Sequence, residues 1–317
     1  MSAQKLSIIA VDKQGENVLF VDPVDYRVLE TITQLPSAPH ELILLQEYDK
    51  AYVPIYGDGI HGDNPHPQHK VAVFSLSQQA LIGFIELAPL ESPHTGQLGS
   101  DGLVYLCCEN SAALAVIDPT TDQLIRKITL PTTNCHRLAI APSGEKLYTE
   151  NEEDNSLCVV ALNEGQGKLL HTLPLTEPSN GITIAPNGSR LILSSGETPQ
   201  LFVLDLETHQ WLAPIPLNAH QRPCQVVRYR DDGKVLVAIG DQEPVITLFD
   251  EQLTPLASVT VGEKPMDAAF SPDGNLLIVA NESAGNWSVI ELTTYHVIAQ
   301  PPIGKGCETL SYFVSHS

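Results

Sequence analysis

Leu138-Ala139-Ile140-Ala141-Pro142-Ser143-Gly144-Glu145-Lys146-Leu147-Tyr148 reads as a strand, a Pro-x-Gly turn and a second strand. The pattern returns in Ile182-Thr183-Ile184-Ala185-Pro186-Asn187-Gly188-Ser189-Arg190-Leu191-Ile192. It returns again in Ala268-Ala269-Phe270-Ser271-Pro272-Asp273-Gly274-Asn275-Leu276-Leu277-Ile278. Arg228-Tyr229-Arg230-Asp231-Asp232-Gly233-Lys234-Val235 is the same unit with Asp in place of Pro. The glycine supplies the positive φ that a tight hairpin requires.

A third strand follows each hairpin, at Ala113–Asp118, Leu157–Leu162, Leu201–Leu206, Val245–Asp250 and Trp287–Leu292. A polar turn then leads to a fourth, such as Gln123–Leu130. Four short antiparallel strands at a fixed period make one propeller blade. The first strands open at His40, His94, His136, Asn180, Cys224, Met266 and Cys307, at nearly constant intervals except the long one from His40 to His94. The last unit has only its first strand, 308–314. Its missing three lie at the N-terminus, at Leu6–Val11, Asn17–Asp22 and Arg27–Thr33. The expectation is an all-β, seven-bladed β-propeller spanning residues 1–317 as one domain. Residues 6–33 complete the blade that starts at 307, which removes open sheet edges.

Pro265-Met266-Asp267-Ala268-Ala269-Phe270-Ser271-Pro272-Asp273-Gly274, with Leu277-Ile278-Val279-Ala280-Asn281 after it, resembles the YVTN-repeat, lactonase-like propeller superfamily. The resemblance covers nearly the whole chain. It implies the fold, and a range of activities that includes phosphogluconolactonase-like and muconate-cycloisomerase-like enzymes, amine dehydrogenase subunits and binding proteins. No enzyme-specific motif of those families is present to carry over.

Composition narrows the partners. There are 38 acidic and 17 basic residues, a net charge of −21, with no Lys/Arg cluster. Nucleic acid and anionic membranes are therefore not expected partners. Small molecules and cations are, although such acidity also serves solubility. The N-terminus shows no apolar signal segment, and the six cysteines form no CxxC pair. Both features point to a reduced, cytoplasmic setting. Oligomeric state is not legible.

Loops joining the second to the third strand share a face with the openings of the first strands. The long interval places its excess in such a loop, Tyr56 to His69. Six of the 11 histidines then share one sector: His40, His94 and His136 at the channel mouth, and His61, His66 and His69 in the insertion. Three converging imidazoles could hold a divalent ion (Zn, Cu, Fe or Mg) and leave a position for water or substrate. Cys224, Met266 and Cys307 would soften such a site or simply pack.

One position further in, Arg137 could clamp a carboxylate or oxyanion, and Glu41, Asp267 or Glu308 could act as base or ligand. The competing reading pairs Arg137 with those acids structurally. Tyr56, Asp58, His61, His66, His69, Asn180 and Gln225 are the candidate substrate contacts. Glu109, Glu150, Glu152, Glu153, Asp154, Glu197, Asp241 and Glu282 are expected to form a solvated acidic rim. No GxSxG, P-loop or HExxH motif occurs. Three functions fit: a lactone or ester hydrolase at the mouth, an isomerase or lyase acting on a cyclic substrate, and a non-catalytic ligand-, metal- or protein-binding propeller.

Overall fold

The computed structural model describes residues 4–33, 35–36, 38–60, 63–162 and 167–316. Seven antiparallel sheets, each with a four-strand path, follow one another around a ring. Blade 1 comprises Ile43–Leu45, Lys50–Ile55, Lys70–Ser75 and Ala80–Glu86; blade 2, Pro93–Leu98, Val104–Cys108, Ala113–Asp118 and Gln123–Thr129. Blade 3 comprises Arg137–Ile140, Lys146–Glu150, Ser156–Ala161 and Lys168–Pro174. Blades 4, 5 and 6 open with Ser179–Ile184, Cys224–Tyr229 and Pro265–Phe270. The outer strand of blade 4 is split into Gln210–Trp211 and Ile215–Pro216.

Blade 7 closes the ring. Its inner strand, Cys307–His316, pairs with Gln4–Asp12, followed by Asn17–Val21 and Val28–Ile32. The one-plus-three exchange is thus present. A side chain locks it: the buried Asp12 carboxylate accepts backbone N–H bonds from Gly15, Lys305 and Gly306 at 2.8–3.1 Å. The chain's two ends therefore converge on one carboxylate.

The repeat works because strand residues alternate between faces. Each sheet lies between two others, so both faces must be apolar. Seven hydrophobic clusters result, one for each pair of adjoining blades. Val104–Cys108 shows the alternation: Tyr105 and Cys107 pack toward blade 3, while Val104, Leu106 and Cys108 pack toward blade 1. Each fully buried aliphatic side chain stabilises the fold by about 1.5–3 kcal/mol relative to exposure. The hairpin glycines behave as their positions require. Gly144, Gly188, Gly233 and Gly274 have φ between 72° and 74°. Gly181 serves another purpose: a Cβ there would sit 2.5 Å from the Gln225 carbonyl, so glycine lets the inner strands of blades 4 and 5 approach.

Candidate functional site at the channel mouth

His40, His94 and His136 stand at the inner ends of blades 1, 2 and 3, and all three are buried. Main-chain bonds set two of them: His40 N donates to Pro54 O, and His136 N to Glu150 O. The rings stand in a row, His40 edge-on to His94 and His94 tilted against His136, with centroids 4.2 Å apart in both pairs. His40 Nε2 lies 2.5 Å from His94 Nε2.

Each Nδ1 faces an oxygen. Glu308 stands 2.8 Å from His40 Nδ1, Thr95 Oγ1 2.9 Å from His94 Nδ1, and Glu150 Oε2 2.9 Å from His136 Nδ1. A carboxylate on Nδ1 keeps the proton there and turns the Nε2 lone pair toward the channel. Lone pairs converging in a buried space require a proton or a metal cation between them.

The ligand geometry differs from one three-histidine set. Two overlapping triads share His94, namely His40–Glu41–His94 and His94–Glu109–His136, each with its ligand atoms within 4.8 Å of one another. The second triad lines a cavity of about 140 Å³ at the mouth, together with His40, Tyr56, Arg137, Glu152, Gln225 and Glu308. Two imidazoles and a carboxylate suit zinc, copper or iron; magnesium prefers an all-oxygen shell.

Glu109 corrects the expectation of a solvated rim. It is 1% exposed, and its Oε2 accepts the Tyr56 hydroxyl at 2.6 Å. Glu150 is fully buried because it belongs to the sheet, paired in register with Arg137. Glu282 is buried as well, against Lys264. Glu153 and Glu197 are the exposed members. Glu150 ends its strand, while Glu109 and Glu282 follow theirs by one residue and are buried all the same.

The layer beneath the histidines is a belt of ion pairs. Arg137 Nη1 contacts Glu41 Oε1 at 2.6 Å, and Arg137 Nε is buried without a hydrogen-bond partner. Asp267 is engaged by Arg228, at 2.7 Å through Nη2, and by the Thr309 hydroxyl at 2.7 Å. Asp267 therefore serves the belt and does not line the mouth cavity. Lys13, from the first turn of the chain, reaches Glu308 at 3.2 Å. Lys13 and Arg228 escaped the sequence reading: neither stands in the ring-opening layer or the one next to it, and only the register brings them to the axis.

The insertion contributes less than its histidines suggested. Tyr56 is buried against His40 and His94, and Gly59 and Ile60 roof the cavity. His66 is exposed and bonded to Asp58, with Nδ1 2.5 Å from Oδ2. His69 Nδ1 meets the Leu90 carbonyl at 3.0 Å. These three residues brace the loop and do not line the cavity. Asn180 does not line it either, and His61 lies outside the described residues. Cys224 and Cys307 pack in inter-blade cores, while Met266 lines the mouth.

Burial and neighbouring charge set the protonation pattern. Burial and the facing His40 and His136 push His94 well below the usual imidazole value. Burial also disfavours the His136 cation, but Glu152 and Glu150 outweigh it, and its pKa is pushed up to about 9. For Glu308, burial is overcome by His40 and Lys13, which hold the carboxyl well below its usual range. His136 thus carries a proton in the folded, metal-free protein at a pH where an unfolded histidine, near 6.5, has lost it. That contribution is complete below about pH 6.5 and is lost as pH rises through about 9. In chelator, the wild type should lose about 3 kcal/mol of stability across this window. Urea melts of wild type and His136→Asn check this: the variant should show a flatter profile, and parallel profiles would refute the assignment.

No family model and no curated protein matches the sequence. Solved structures do match in shape. The periplasmic gluconolactonase of Pseudomonas aeruginosa superposes with a TM-score of 0.78 at 17% identity, covering 98% of this chain and 99% of that one. A protein of unknown function from Desulfotomaculum acetoxidans gives 0.79 at 11%, covering 98% and 99%. A candidate 6-phosphogluconolactonase from Bacteroides uniformis gives 0.77 at 12%, also covering 98% and 99%. The chain has the fold of the lactonase-like propellers. Such identities carry the fold alone.

Proposed function

We propose that this propeller hydrolyses small lactones or esters at the channel mouth, with a divalent transition-metal ion held by His94, Glu109 and His136. The observation that carries the reading is the convergence of buried imidazole nitrogens and one carboxylate on a solvent-sized cavity, with an oxygen behind each imidazole. The lactonase names among proteins of the same fold support it. A bound ion would supply Lewis acidity and a more acidic water at neutral pH. The rest is done by side chains. Thr95 and Glu150 orient the two imidazoles, and Tyr56 orients Glu109. Arg137, at the cavity floor, offers a donor to the carbonyl oxygen as negative charge develops there. Glu152, half-buried at the wall, takes the proton from the attacking water.

Charge and volume limit the substrate. Ligand pockets for drug-sized molecules run from about 300 Å³, and this cavity is about 140 Å³. Among the described residues, Lys13 and Arg137, the basic side chains lining the cavity, already have carboxylate partners, so only the proposed ion would be left for a phosphate. Unphosphorylated five- and six-membered lactones should therefore exceed a phosphorylated sugar lactone by at least about tenfold in kcat/KM. A pH-stat assay over such a panel decides the matter. Arg137→Lys should lower kcat by about 100-fold on the best substrate. A metal-loaded wild type inactive on every lactone and ester would leave a binding propeller instead.

A further inference from the structure

Cys107 and Cys135 approach each other across the boundary between blades 2 and 3, with Sγ atoms 2.7 Å apart and both residues fully buried. A disulfide bond measures about 2.05 Å, so a shift of well under 1 Å would join them. The neighbouring thiols are placed elsewhere. Cys108 follows Cys107 in sequence, but strand alternation sends it into the core between blades 1 and 2. Cys158 shares the core of Cys107, yet its sulfur accepts the Asn151 amide at 3.3 Å. The pair is therefore specific.

We infer that Cys107 and Cys135 are an oxidisable dithiol whose disulfide staples blade 2 to blade 3 directly beneath the channel mouth. Cys135 immediately precedes His136, and Cys107 stands two residues before Glu109. The staple would tie together the segments that carry two of the three proposed metal ligands. That coupling rests on the proposed function; the dithiol itself does not.

The oxidant is a small peroxide, since neither thiol is exposed to a bulky disulfide. One thiolate attacks a peroxide oxygen, forming a sulfenic acid and releasing water. The second thiol then attacks that sulfur, forming the S–S bond and releasing a second water. Two thiols are oxidised and one hydrogen peroxide is reduced. Full burial of both thiols restricts access of the oxidant, which slows the first step and keeps the pair reduced until oxidant accumulates.

Thiol titration of denatured protein, before and after hydrogen peroxide, tests the pair. The expected result is a fall from six thiols to four, and non-reduced tryptic maps joining the peptide that contains Cys107 to the peptide 128–137. Cys158→Ser should keep this link, and fragmentation of the wild-type cross-link separates Cys107 from Cys108. Retention of all six thiols, or a link between any other two cysteines, overturns the inference. The same two samples are then titrated with zinc. The oxidised form should bind three- to tenfold more tightly, because the ligand-bearing segments are ordered in advance. Equal affinities would refute the coupling. Absence of zinc binding in both forms would refute the metal site and leave the thiol result to stand alone.

Discussion

Glu109→Gln should fold normally and lose its divalent metal, with affinity falling at least about 100-fold and lactone hydrolysis falling with it. The substitution is nearly isosteric, and the amide oxygen can still accept the Tyr56 hydroxyl that now reaches Oε2 at 2.6 Å. What it removes is charge: a neutral amide is a poor ligand where a carboxylate is needed to balance a dication. Tyr56→Phe should act in the same direction but less strongly, by about 10-fold, since it removes only the group that orients the ligand. The double variant His94→Ala, His136→Ala should abolish stoichiometric metal. Every variant that removes His136, the double one included, is read beside a urea melt, because Glu150 is fully buried behind it and loses that partner. Metal analysis of untagged protein and zinc titration check the series. Full retention of metal in Glu109→Gln would remove Glu109 from the site.

Deleting Cys307–His316 should abolish folding altogether. That strand is the inner strand of blade 7 and pairs with Gln4–Asp12 along its length. Without it, Gln4–Asp12 becomes an exposed, largely apolar edge, and the cores on both sides of blade 7 open. The expected products are insoluble protein and a loss of cooperative melting. Asp12→Ala is the graded version. It strips the acceptor from three buried or half-buried N–H groups where the two chain ends meet. It should cost about 3 kcal/mol in urea unfolding. A well-folded, monodisperse truncation would contradict the closure.

The sequence disclosed the repeat because the blades obey common rules: alternation for two apolar faces, and in the first hairpins of blades 2 to 6 a glycine with positive φ, a role that Asp49 takes in blade 1. Gly144, Gly188, Gly233 and Gly274 were therefore enough to set the phase, and the phase alone brought His40, His94 and His136 to one mouth. Glu109 and Glu150 were not legible as channel residues. An acid at or just past the end of a second strand looks the same in sequence whether it turns to solvent or into the channel. Arg228 and Lys13 were hidden for another reason. Arg228 reaches an acid on the next blade and Lys13 an acid 295 residues away on the inner strand of its own blade, relations that no local pattern encodes. His66 and His69 misled in the opposite sense, since an imidazole in an insertion can brace its own loop, as the Asp58 and Leu90 contacts show.

Anomalous diffraction from crystals of untagged protein loaded with one equivalent of zinc tests the central claim most directly. The account predicts a single strong peak at the channel mouth, about 2.0–2.2 Å from His94 Nε2, His136 Nε2 and a Glu109 oxygen. An empty mouth, or zinc held instead by His66 and Asp58 in the insertion, would contradict it.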